Sequence, residues 1–192
     1  GGAGRPGGGA GGGGHSGNIG HLVLIPRIRA IFSGTLLMAG SISTGAAIRA
    51  AEILGADLAY MGTRFIATKE AAMDAEYQRM LVECHSEDLM FTPKLTGVAA
   101  NWLVPSMERM GLDPKDLPKA AGFHGGNAHL PEGVRPWKNV WSAGQGIDLI
   151  DDVPTIAQLV RRLRAEYVAA CEAPSYADVA RLVDQALDAK AD

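Results

Sequence analysis

The sequence predicts an α/β fold with a parallel sheet, and three observations within residues 35–65 carry that prediction. Leu36 to Ala39 is a short unbroken apolar run, the pattern of a strand covered on both faces. Ala47, Ala50, Ala51 and Leu54 then recur at i, i+3, i+4 and i+7, one face of a helix whose small side chains let it lie close on a sheet. Leu58 to Met61 is a second apolar run, so the order is strand, helix, strand. Such a unit crosses over right-handed.

Glycines punctuate the unit. Gly40 and Gly62 end the two strands, and Gly55 suits the position after the helix, where positive φ is needed. Ser41, Ser43 and Thr44 are candidate N-caps. Parallel pairing puts Gly40 and Gly62 at one edge, each turn feeding a helix N-terminus. Backbone N–H groups bared at two such turns make a place for a phosphate. Barrel enzymes often bind phosphate at the loops after their last two strands. The same glycines can equally serve tight turns alone, and the residues leave both readings open.

Residues 1–14, nearly all glycine, have no side chains to bury and are expected to be a disordered segment. They lack the apolar core of a signal peptide. A start of this kind, without Met, reads as a fragment or a displaced start, and residues 15–192 read as the folded domain. Leu24, Ile28 and Ile31 have helical spacing over about 22–31, with Pro26 in the first turn or at a kink. Met73, Tyr77, Met80, Leu81 and Cys84 predict a helix over about 69–85, ending near His85. Residues 91–104 predict an extended piece, and Pro105-Ser106 opens a short helix that ends near Gly111. Residues 120–133, with His124 and His129, read as an exposed loop. Asp151 or Asp152 is expected to cap an amphipathic helix with Ile156, Leu159, Val160, Leu163 and Tyr167 inward. After Pro174, Ser175 and Asp178 form a capping-box pattern for a last helix.

Bulk properties narrow the function classes. A length of 192 residues suits one domain, and 47% hydrophobic with 20% charged residues suits a globular core. A net charge of −3 and a pI near 6.0 argue against nucleic acid and anionic membranes as partners. No run approaches a membrane span. Cys84 and Cys171 read as two buried thiols of a cytoplasmic protein rather than a disulfide or metal pair. His124 and His129 lack further ligands at metal spacing, so no metal site is expected. Trp102, Trp137 and Trp141 read as core or interface residues.

Several segments together resemble the nitronate monooxygenases, also called 2-nitropropane dioxygenases, a family of flavin-dependent (β/α)8 TIM barrel enzymes. They are Gly13-Gly14-His15-Ser16-Gly17, Met38-Ala39-Gly40-Ser41-Ile42, Leu54-Gly55-Ala56-Asp57 and Met61-Gly62-Thr63-Arg64-Phe65, followed by Gly111-Leu112-Asp113-Pro114 and Trp141-Ser142-Ala143-Gly144-Gln145-Gly146. The resemblance implies that the chain holds the C-terminal part of such a barrel with added C-terminal helices, the N-terminal half being missing. It implies FMN as cofactor, its phosphate held by Gly40 and Ser41 on one side and Gly62 and Thr63 on the other. Gly13 and Gly14 would let the backbone pass close to the flavin, and Gln145 lies in a loop that approaches it. His15 corresponds to the active-site histidine. The implied reaction is oxidation of an alkyl nitronate by dioxygen. An FMN-dependent enoyl-acyl-carrier-protein reductase is the alternative enzyme. A non-catalytic fragment is the alternative of another class, in which an exposed parallel strand edge and apolar helix faces would favour aggregation or a homo-oligomer.

Overall fold

The computed structural model describes residues 19–119 and 128–188. Gly13, Gly14, His15 and His124 lie outside the described residues. Helix α1 (His21–Arg29) leads into β1 (Leu37–Ala39), α2 (Gly45–Ile53) and β2 (Leu58–Tyr60). The strands pair in parallel, Leu37 opposite Leu58, Met38 opposite Ala59 and Ala39 opposite Tyr60. Of the three candidate caps, Thr44 serves α2: its Oγ1 accepts from the Ala47 N–H at 3.1 Å. Gly55 follows the helix at φ 104°.

The strand pair is covered on one face only, unlike the expectation. Leu36 and Met38 pack with Ile25, Ile42, Ala51 and Ala56. Leu37, Leu58 and Tyr60 point the other way and are 47%, 55% and 61% exposed, because among the described residues this sheet has two strands and no second layer. Helix α1 buries Ile25 rather than a Leu24–Ile28–Ile31 stripe; Pro26 sits inside it, and Ile31 lies exposed beyond its end.

Two short helices follow, α3 (Thr63–Ile66) and α4 (Ala75–Glu83). The latter starts later than its periodicity suggests because Asp74 caps it, accepting from the Glu76 N–H. His85 lies past its end and caps the 3-10 turn Ser86–Asp88 instead. The extended piece resolves into an antiparallel pair, β3 (Leu89–Thr92) and β4 (Ala100–Leu103), and α5 (Val104–Arg109) follows directly. Pro105 sits in the first turn of α5, where a missing N–H is not felt.

Tryptophans anchor this half. Trp102 and Trp141 are buried, and Trp141 stacks on Tyr77 with ring centroids 4.9 Å apart. Burial pushes the Tyr77 hydroxyl up to about 12. Trp137 leans on Trp102 but stays half exposed.

Helix α6 (Ile156–Glu172) buries Leu159 and Leu163, while Ile156 and Val160 are exposed. Its cap is Thr155, in a capping box with Gln158, rather than either aspartate. Asp152 is drawn inward by two arginines instead. Helix α7 (Tyr176–Asp188) opens as its sequence predicts, with Ser175 donating to Asp178 from backbone and hydroxyl. Cys84 is buried, and burial raises its thiol; Cys171 is exposed, contrary to expectation. No helix among the described residues is long and apolar enough to cross a membrane.

Candidate functional site

Because Ala39 is registered with Tyr60, Gly40 and Gly62 leave the sheet at the same end. The chain turns sharply at the first: Gly40 has φ 97° and Ser41 φ 56°. A side-chain-bearing residue in the left-handed region is uncommon, and such residues cluster where the surrounding structure enforces them. At the second turn, a Cβ built on Gly62 meets nothing within 4 Å, so the surface beside it is open.

A third segment rests on both turns. The Gly144 N–H donates to Thr63 Oγ1 at 2.9 Å, which leaves the Thr63 hydroxyl proton to be donated elsewhere. The Ser43 hydroxyl donates to the Gly146 carbonyl at 2.8 Å. The approach is close enough that a Cβ on Gly146 would lie 2.6 Å from Ser43 Oγ and 3.2 Å from the Ser41 carbonyl carbon. Gln145 stands between these two contacts with its side chain exposed, at the start of the 3-10 turn Gln145–Leu149. The predicted residues Gly40, Ser41, Gly62, Thr63 and Gln145 are thus brought to one end of one sheet.

One expectation is corrected. The N-terminus of α2 is not bare: besides the Thr44 cap, the Gly45 N–H donates to the Glu166 carboxylate of α6 at 2.7 Å. A carboxylate is favoured at that helix end by the aligned peptide dipoles, so Glu166 fills the place an external anion would take. A phosphate at the first turn therefore has the Gly40–Ser41 backbone and hydroxyl to hold it, rather than the end of α2. With Gly62 open and Thr63 able to donate, the residues present fit a phosphate ester at the turns themselves.

Behind the second turn lies Arg64, 1% exposed. Its Nη2 donates to the Ala67 carbonyl at 3.2 Å, to the Asp152 carbonyl at 3.0 Å and to Asp152 Oδ1 at 3.1 Å. Arg162 binds the same carboxylate through both terminal nitrogens. That hydrogen bonding, with the charge of Arg64 added, holds the Asp152 carboxyl below the usual carboxylate range. Burial pushes Arg64 below its ordinary value as well, against the pull of the Asp152 charge. Ser43, Thr44, Arg64, Asp152, Arg162 and Glu166 border a polar cavity of about 360 Å³.

Sequence reasoning missed Arg64, Arg162 and Glu166 among these residues, and His21 at the end of β1. Arg64 lay inside the quoted Gly-Thr-Arg-Phe segment, and its place beside Thr63 was the available signal. Glu166 gave none, since its partner is 121 residues away. His21 was also passed over. Its Nε2 is 2.8 Å from the Ala39 carbonyl, so that nitrogen carries a proton and donates, and the ring sits where β1 ends. Among the described residues, no group of three or more His, Cys, Asp or Glu could hold a metal ion.

The family model described as nitronate monooxygenase matches residues 6–166. The chain belongs to that family. A nitronate monooxygenase of Paraburkholderia phytofirmans is 32% identical over 139 residues, covering 67% of this chain and 38% of that protein. One from Pseudomonas aeruginosa is 31% identical over 159 residues, covering 77% of this chain and 44% of that protein. The chain thus spans less than half the length of these relatives. Among solved structures, a nitroalkane oxidase of Streptomyces ansochromogenes superposes with a TM-score of 0.66 at 27% identity, over 86% of this chain and 52% of that one. FabK of Thermotoga maritima superposes with a TM-score of 0.63 over 84% of this chain and 53% of that one; at 23% identity it shows the fold alone. The fold is α/β and its neighbours are TIM-barrel-type enzymes. The family is one of flavin-dependent oxidoreductases.

Proposed function

We propose that the chain carries the FMN-phosphate end of a nitronate monooxygenase, and that the enzyme oxidises alkyl nitronates with dioxygen. The observation that carries this reading is the convergence of two glycine turns, one strained at Ser41 and one open at Gly62, at one end of one parallel sheet. Gly40 and Ser41 hold one side of the phosphate, and Gly62 and Thr63 the other. The segment containing Gln145 keeps the two turns together through its glycine neighbours. Gly13 and Gly14 let the backbone pass beside the flavin. His15 is assigned as the active-site histidine, whose imidazole can take or return a proton near neutral pH or donate a hydrogen bond to the anionic nitro group. FMN, when bound, supplies the redox chemistry, and the protein supplies position and electrostatics.

The test is direct. The purified chain, loaded with FMN and passed through gel filtration, is expected to keep flavin absorption in the protein peak and to consume oxygen with propionate 3-nitronate, without a nicotinamide. A colourless peak overturns the cofactor assignment. Flavin retained with NAD(P)H consumption on an enoyl thioester, and no oxygen uptake, transfers the chain to the reductase reading. Substitution His15→Ala is expected to lower turnover with FMN still bound; unchanged turnover removes His15 from the chemistry.

A further inference from the structure

The two turns are spaced by something outside the sheet. One short face of α6 reaches both. Glu166 takes the Gly45 N–H at the start of α2, and Arg162, one helical turn earlier, grips Asp152, which in turn grips buried Arg64 next to Thr63. Between them Leu163 is buried, and α2 rests on bare backbone: a Cβ on Gly45 would stand 2.1 Å from the Leu163 carbonyl oxygen and 2.3 Å from the Tyr167 nitrogen. Residues 162, 163, 166 and 167 share one face of a helix at i, i+1, i+4 and i+5, so the two grips move as one rigid piece.

We propose that Glu166 and the Arg64–Asp152–Arg162 triad are positioning residues through which α6 sets the distance between the two phosphate-holding turns. This rests on the reading of those turns as the FMN-phosphate site. Neither grip needs to touch the cofactor. The Gly40–Ser41 turn is anchored downstream by Gly45, and the Gly62–Thr63 turn by Arg64, so a change on α6 alters the gap that a phosphate must bridge. The isoalloxazine ring does not report on that gap. Riboflavin, which has the ring and no phosphate, is therefore the internal control.

Flavin fluorescence titrations with FMN and riboflavin in parallel test the proposal on wild type, Glu166→Gln, Glu166→Ala and Arg162→Met. Loss of one charge-assisted hydrogen bond at a positioned site is expected to weaken FMN binding about tenfold in Glu166→Ala. Riboflavin affinity is expected to stay unchanged in every variant. Glu166→Gln keeps an oxygen that can accept from Gly45 and is expected to recover most of the FMN affinity, which a purely electrostatic role for Glu166 would not allow. Arg162→Met is expected to lower FMN affinity selectively as well, by releasing the Arg64–Asp152 pair from α6. If FMN and riboflavin weaken together, or neither weakens, α6 does not set the turns and the proposal falls. If wild type binds no flavin, the site reading fails first. Should Glu166→Ala lose its cooperative melt, the Gln variant and Arg162→Met decide the matter.

Discussion

At the end of the sheet where β1 and β2 begin, one carboxylate and one guanidinium close the structure. At the opposite end, where the strands finish, the chain is fastened from far away. Asp57 Oδ2 accepts from the Leu36 N–H at 2.7 Å and from Arg29 at 2.6 Å. Arg29 also donates to the carbonyls of Gly55, Phe32 and Gly34. All of these partners lie between residues 29 and 57. At the other end one local bond, from His21 to the Ala39 carbonyl, is joined by Gly146 on Ser43, Gly144 on Thr63, Glu166 on Gly45 and Asp152 on Arg64. The difference separates two tasks. Local fastening makes the strand–helix–strand unit, whereas distant fastening places two loops relative to each other, as a binding site at the C-terminal ends of strands requires.

Three substitutions would break or sharpen that contrast. The largest effect is expected from Gly45→Ala. Its Cβ would collide with backbone of α6 rather than with a movable side chain. A loss of about 3 kcal/mol is expected in urea unfolding, at the upper end for overpacking. Next comes Thr63→Val, which removes the acceptor for the Gly144 N–H. FMN affinity is expected to fall about tenfold, with Thr63→Ser restoring it, as read by fluorescence quenching. Asp57→Asn at the opposite end should lower the melting temperature at pH 7 and leave FMN affinity within about twofold, the sites being independent.

The same residue gives a pH prediction. The Leu36 N–H, and then Arg29, hold the Asp57 carboxyl below its ordinary range. A group depressed in the folded state adds stability above its unfolded pKa of about 3.9, and that stability is lost as pH falls through the folded value. Wild type is therefore expected to lose stability in acid more steeply than Asp57→Asn, in melts recorded from pH 6 to pH 3. Equal slopes would mean that the clasp contributes nothing.

The contrast also explains how far the sequence could be read. The strand–helix–strand unit was legible because its signals are adjacent: Gly40, Thr44, Gly55 and Gly62 act on neighbouring residues. So was the Ser175–Asp178 cap. Asp152 was misread as a helix cap because its partners, Arg64 and Arg162, meet it only in the folded chain. The bareness of α2 was misread for the same reason, since nothing near Gly45 announces Glu166. Exposure of Leu37, Leu58 and Tyr60 was hidden too. An apolar strand carries no mark of whether a second layer covers it, and here among the described residues none does. The two glycine turns could be placed from the sequence, whereas the contacts that reach them from residues 144–166 could not.

The bond from Gly45 to Glu166 closes a span of 121 residues. On a ribosome elongating at about 5–20 residues per second, the first turn emerges roughly ten seconds before its fastener exists. Through that interval the nascent βαβ segment carries an apolar strand surface together with a helix end that has the Thr44 cap but lacks the Glu166 carboxylate. The length of that interval scales inversely with elongation rate, so the unfastened turn is exposed longer the more slowly residues 46–166 are made.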